Sequence, residues 1–185
     1  MLTASEILKQ KDAGRLDIVP FDIKHLNPNS YNVHLRDTLK VYDKKYHRVL
    51  DTRRDNHPDY TIVIPKTGYT LFPGNLYLGA TEEIVTTNHY VPNIDGRSSI
   101  GRLGMQVHMT AGFGDIGFSG TFTFEITVVV PVTIYPGDEI AQIYFEKPDG
   151  DIDFLYNGRY KGQIDPTESR MQLTSTDIQG YHYNK

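Results

Sequence analysis

The chain of 185 residues contains no cysteine, and that absence removes a disulfide framework, a thiolate nucleophile and every zinc site that uses sulfur. It also lacks any apolar stretch approaching the roughly 18 residues of a membrane span. Met1 to Gly14 carries charges where a signal peptide needs an apolar run. A soluble chain not exported by such a signal is expected, and a cytoplasmic location fits the missing cysteines. Positive charge is not in excess, since 19 Lys and Arg against 23 Asp and Glu leave a net charge of −4. Nothing therefore draws the chain to a nucleic-acid backbone or an anionic membrane, and a polyanion has to be held by a local cluster. No GxSxG elbow, P-loop, dinucleotide fingerprint, internal repeat or interdomain linker is present. A typical domain of about 150 residues makes one domain over 1–185 the expectation.

What is present describes a chain that turns often. Sixteen Gly, ten Pro, thirteen Tyr and eight Phe accompany many short β-branched runs, which predicts an all-β fold, a β-barrel or double-sheet roll. One opening helix is expected over Thr3 to Ala13, where Thr3 and Glu6 have capping-box spacing and Gly14 can close it. Tyr31, Val33 and Leu35 alternate with polar residues as a half-buried strand, which Leu39 to Tyr42 is expected to continue. Thr121 to Val130 is the clearest strand, with Phe122, Phe124, Ile126, Val128 and Val130 on one face. Arg36 to Asp59 reads as a solvated hairpin or loop. From Lys147 the chain turns polar, and a mobile C-terminal arm, approximately 150–185, is the expectation.

The densest chemical signal is Gly96-Arg-Ser-Ser-Ile-Gly-Arg-Leu-Gly104. Small residues there allow close backbone approach, while Arg97, Arg102, Ser98 and Ser99 supply donors, the combination a phosphate group wants. An ordinary turn with solvated arginines has the same pattern. Thr110 to Gly120 surrounds one carboxylate, Asp115, with glycines, which by itself reads first as a Gly-rich hairpin whose aspartate caps a turn and also fits a sugar-binding or water-positioning loop. Glu125 falls opposite the Phe and Val stripe, where either a general base or a surface glutamate would stand. The seven histidines contain no pair at i, i+2 or i, i+4, so each is read as a loop or packing residue, with His108 the one expected to be buried.

Together these segments resemble the dCTP deaminase family of the trimeric dUTPase-like superfamily. The resemblance runs through Gly96 to Gly104, Thr110 to Gly120 and Thr123-Phe124-Glu125. It continues through Pro136-Gly-Asp-Glu-Ile-Ala-Gln142 and Tyr156-Asn-Gly-Arg-Tyr-Lys-Gly-Gln163, and more weakly through Asn27 to Leu35. It implies a distorted barrel or jelly roll and deamination of dCTP without zinc. Glu125 would be the base that activates water, with Ser98 and Arg102 orienting that water and holding charge. Asp115 would lie by the deoxyribose. Arg97, Ser99, Thr123, Phe124, Gln142, Tyr156, Arg159 and Gln163 would contact the nucleotide, the last three from the arm that closes over the triphosphate. Mg²⁺ would arrive chiefly with the triphosphate, the assembly would be a homotrimer, and dTTP would be an inhibitor. Arg159 stands where the family usually has lysine, and Ile116 where it usually has proline.

Members of the family release dUTP or continue to dUMP and pyrophosphate. Gly112-Phe113 resembles the dUMP-forming members, so the two-step product is expected, with a deaminase that stops at dUTP as the alternative. A regulator that binds deoxynucleotide without catalysis is a second class, and a plain structural β-module a third. Intact Glu125, Ser98 and Arg102 favour an enzyme over the regulator, and the phosphate cluster speaks against the plain module.

Overall fold

The computed structural model describes residues 1–110 and 112–173. The outer part of the arm, from 174 on, with His182, and Ala111 of the Gly112 segment lie outside the described residues. The elements are α1 (Ala4–Asp12), β1 (Leu16–Val19), β2 (Leu26–Asn27), β3 (Ser30–His34), β4 (Thr38–Tyr42), β5 (Tyr60–Val63), β6 (Tyr69–Leu71) and β7 (Leu76–Ala80). They continue with β8 (Ile84–Thr87), β9 (Val91–Gly96), the single turn α2 (Ser98–Gly101), β10 (Met105–Gln106), β11 (Ser119–Gly120), β12 (Thr123–Val128), β13 (Val132–Ile134) and β14 (Glu139–Glu146). Among the described residues no helix is long and apolar enough to cross a membrane.

The strands pair antiparallel in a five-stranded sheet, β10-β12-β7-β4-β5, a four-stranded sheet, β2-β3-β14-β9, and two smaller ones, β1-β8-β11 and β13-β6. Their inward residues, among them Val33, Leu39, Tyr77, Phe124, Ile126, Ile143 and Phe145, form one buried cluster. The mostly β chain with one opening helix that the sequence predicts is the one observed. The alternation in β12 holds from Phe122 to Val128, but Val129 and Val130 are exposed, because the strand ends at Val128 and Val129 N–H turns to Gly104 O.

Two local expectations need correction. Thr3 caps α1 by position only: its side chain makes no capping bond, and Glu6 is engaged by Gln10 instead. Gly14 follows with φ of 67°. Residues 39–42 do not continue the strand before them, since β3 lies in the four-stranded sheet and β4 in the five-stranded one. The chain crosses between the sheets at buried Leu35, which bridges to Thr81, while Arg36 N–H donates to Ala80 O. The solvated loop begins only after β4.

The described part of the arm has no regular secondary structure, yet it is docked through its backbone. Tyr156 N–H donates to Ile116 O (2.7 Å), Gly162 N–H to Ser119 O (2.7 Å), and Thr121 N–H to Gln163 O (2.9 Å). Lys40 of β4 pairs with Glu168. Burial pushes the Glu168 carboxyl up, but the Lys40 hydrogen bond, a backbone N–H and the charges of Lys40 and His57 outweigh it and hold the group below its ordinary value. A depressed carboxylate contributes stability that is present above its unfolded value and lost as pH falls through the folded one. Glu168→Gln should therefore weaken arm docking by about 0.5–1 kcal/mol. Hydrogen-exchange protection of the Thr121 and Gly162 amides reads this, and in the wild type it should fall as the pH drops below the ordinary carboxylate range. Unchanged protection in Glu168→Gln at neutral pH would contradict it.

Candidate functional site

A cavity of about 660 Å³ opens beside β7 and β12, within the range of small-molecule sites. Leu76, Leu78, Thr123 and Glu125 form its floor, and Met109, Phe113, Asp115, Phe118 and Phe122 one wall. Leu50, Asp51, Thr52 and Asn56, from the loop after β4, face Tyr156, Tyr160, Gln163, Thr167 and Glu168 of the arm. That loop is closed on itself by Asn56, whose side chain bonds Asp51 N–H (2.9 Å) and Asp51 O (2.7 Å), while Tyr42 Oη donates to Asn56 O (2.9 Å). A second cleft of about 270 Å³ shares Phe113, Gly114, Asp115 and Tyr156 and is otherwise lined by Val91, Ile116 and Phe154.

Glu125 reaches the cavity because β12 buries Phe124 and Ile126 on its other face. Its Oε2 accepts from Met109 N–H (3.2 Å) and lies 3.3 Å from His108 Nδ1. The His108 ring is sheltered, packs on Phe124 at 5.8 Å, and has its Nε2 buried with no partner among the described residues. Nδ1 is the ring nitrogen placed to donate to the carboxylate. His108 was expected to be buried, but its contact with Glu125 was not legible. The signal lies in the pairing, since Val107 O accepts Glu125 N–H and so sets residue 108 beside the glutamate.

The structure brings some candidates together and separates others. Phe113, Asp115, Thr123, Glu125, Tyr156 and Gln163 line the cavity. Gln163 donates to Thr121 O (2.7 Å) and leaves Oε1 buried and unpartnered among the described residues. Phe124 is a core residue with no exposure; in a strand it cannot share a face with Thr123 and Glu125. Gln142 lies in β14 and accepts from Ser30 Oγ (3.3 Å). Arg159 donates to Leu173 O (2.6 Å). Ser98, Ser99 and Arg102 are exposed on and just after α2, away from the cavity lining, and Arg97 is paired with Glu139. The lining thus carries four carboxylates, Asp51, Asp115, Glu125 and Glu168, and among the described residues no Lys, Arg or His.

The histidines also need correction. His25 and His34, nine apart in sequence, stand with ring centroids 4.4 Å apart and share Glu139. Burial opposes ionisation of Glu139, yet the His25 hydrogen bond and the charges of Arg97, His25 and His34 hold its carboxyl below the ordinary value.

Gly112 does not line the cavity. A Cβ there would stand 2.9 Å from Ile94 O, and Gly112 O accepts Ile94 N–H (2.6 Å), so the close approach is to the protein's own backbone. Any side chain must displace the Ile94 pairing and with it Phe113 to Asp115. Gly112→Ala should destabilise by about 1–3 kcal/mol, read from urea denaturation, and a neutral effect would contradict this packing.

The sequence model of a family described as dCTP deaminase-like matches residues 1–148. A protein named dCTP deaminase, dUMP-forming, from Clostridium beijerinckii is 48% identical over 161 residues, 87% of this chain and 90% of the relative. One of the same name from Cytophaga hutchinsonii is 44% identical over 87% of this chain and 91% of its own. Among solved structures, the 2′-deoxycytidine 5′-triphosphate deaminase from Agrobacterium tumefaciens superposes with a TM-score of 0.62 at 16% identity, over 80% of this chain. This chain spans 48% of that one, and the likeness supports the fold.

Proposed function

The chain belongs to the dCTP deaminase-like family, and we infer from this that it deaminates dCTP and carries the product on to dUMP. The observation that carries the reading is Glu125 at the cavity floor, with one carboxylate oxygen engaged by Met109 N–H and His108. That fixes the carboxylate and leaves its other oxygen for water. Glu125 takes a proton from water and the hydroxide adds to C4 of cytosine. The proton passes through Glu125 to the base nitrogens, and the C4–N bond breaks to release ammonia and leave the uracil carbonyl. The cavity wall offers carboxylates but no histidine or cysteine among the described residues, so the water is assigned to Glu125 and not to zinc.

For the second step, Asp115 positions a water against the α-phosphorus, and cleavage gives dUMP and pyrophosphate. The oxygen-rich wall fits a hard cation, and Mg²⁺ held by Asp115 and chiefly by the triphosphate would neutralise phosphate charge. Tyr156 and Gln163 bring the arm against the nucleotide. dTTP, with the same sugar and triphosphate, is proposed to compete for the cavity.

Four carboxylates without a cation cannot hold a triphosphate alone. Ser98 and Arg102, exposed outside the lining, are proposed to serve the cavity of a neighbouring copy, with Arg97 anchored on Glu139 behind them, in the homotrimer that the family resemblance implies. Coexpressed Glu125→Gln and Arg102→Gln chains, each inactive alone, should recover roughly a quarter of wild-type turnover, the share of cavities that receive both intact halves in a closed ring. No recovery in mixed assemblies would count against a shared site.

Glu125→Gln should keep the fold and nucleotide binding while ammonia release drops by at least about 10²-fold. Near-normal turnover would sink the assignment. Products of dCTP with Mg²⁺, separated by ion exchange, should be dUMP and pyrophosphate in the wild type, with Asp115→Asn accumulating dUTP. Stoichiometric dUTP from the wild type would make the enzyme a deaminase only.

A further inference from the structure

We propose a binding site for one divalent transition-metal ion formed by His25 Nδ1, His34 Nε2 and Glu139 Oε1, apart from the nucleotide cavity. The three groups lie within 4.8 Å of one another. His25 comes from the 3₁₀ turn Ile23–His25, His34 from the end of β3 and Glu139 from the start of β14. None of them lines the cavity.

Each ligand is held by what its other atoms do. His34 Nδ1 bonds Glu83, a carboxylate 1% exposed whose second oxygen accepts His34 N–H (2.9 Å). This leaves Nε2 turned towards Glu139 Oε1, 3.7 Å away. Glu139 Oε2 is taken by Arg97 and by Asn32 Nδ2 (2.9 Å), while among the described residues Oε1 meets the two rings, with His25 Nδ1 at 2.8 Å and His34 Nε2 at 3.7 Å. A carboxylate behind a histidine, fixing its tautomer and aiming its free nitrogen, is how metal-binding imidazoles are oriented. Ligand atoms around a tetrahedral ion with bonds of about 2.0–2.2 Å stand about 3.3 Å apart, and the observed 2.8 and 3.7 Å bracket that value. Small rotations of the two rings would admit an ion.

The chemistry of the donors selects the ion. Two imidazoles and one carboxylate favour zinc, cobalt or nickel over magnesium and calcium, and three protein ligands leave room for water. The three side chains are 26%, 14% and 29% exposed, so an ion reaches them from solvent. A bound ion would tie the turn after β1 to β3 and β14. Through Glu139 it would also hold Arg97, the residue that precedes α2.

The test uses the full-length chain without an affinity tag, stripped with a chelator and dialysed against zinc or cobalt, with bound metal counted by mass spectrometry. One ion per chain with a dissociation constant at or below about 10 μM is expected, together with visible bands of cobalt bound by nitrogen and a raised melting temperature. His25→Ala and Glu139→Gln should each weaken binding by at least about tenfold, with circular dichroism unchanged. His25 lies in a surface turn and Glu139→Gln keeps the side-chain shape, so loss of binding is separable from loss of fold. Less than one-tenth of an ion per wild-type chain at about 100 μM metal, or undiminished binding in both variants, as ions held by the cavity carboxylates would give, overturns the proposal.

Discussion

The two-residue period of β12 is the constraint from which the site follows. Phe122, Phe124, Ile126 and Val128 are drawn into the core by burial of their apolar surface. The intervening Thr123 and Glu125 must then face the other way. Pairing with β7 sets Leu78 opposite Glu125, so an apolar floor surrounds a carboxylate that the core itself has positioned. The segment after β10 completes the frame, because Val107 O on Glu125 N–H aligns His108 and Met109 with the side chain. The placement of Glu125 and the packing of the core thus rest on one alternation, and a change that slipped the strand by one residue would destroy both.

The charge distribution points outward from the single chain. The cavity is acidic, and the cluster read as phosphate-binding is presented on α2 and its flank instead. Arg97 is committed to Glu139, which lets the turn that follows carry Ser98 and Arg102 on a braced base. The chain thus keeps its cavity carboxylates and its exposed Ser98 and Arg102 on separate surfaces, the separation on which the proposed shared site rests.

Much of this was legible beforehand because it is local. The alternation of β12, the opening helix, the face of Glu125 and the small-residue loop near Asp115 depend on neighbours a few residues apart. The contiguous Thr123-Phe124-Glu125 invited a uniform role, and strand geometry splits it, with Phe124 going to the core. What could not be read depends on long separations. Leu50, Asp51, Thr52 and Asn56 line the cavity together with Tyr156 and Glu168 of the distant arm, and Glu139 meets His25 across 114 positions. The sheet change at Leu35 was hidden because a strand that crosses between sheets keeps the same polar alternation on both sides of the crossing.

The docking of the arm has a consequence unrelated to the nucleotide. β11 is the outermost strand of its sheet, and the bonds from Gly162 to Ser119 and from Thr121 to Gln163 occupy backbone groups that would otherwise face solvent unpaired. An open edge of that kind recruits strands from other molecules. The arm therefore acts as a sheath over a self-association hazard, and a chain shortened before Gly162 would expose that edge to pairing between molecules whether or not any nucleotide is bound.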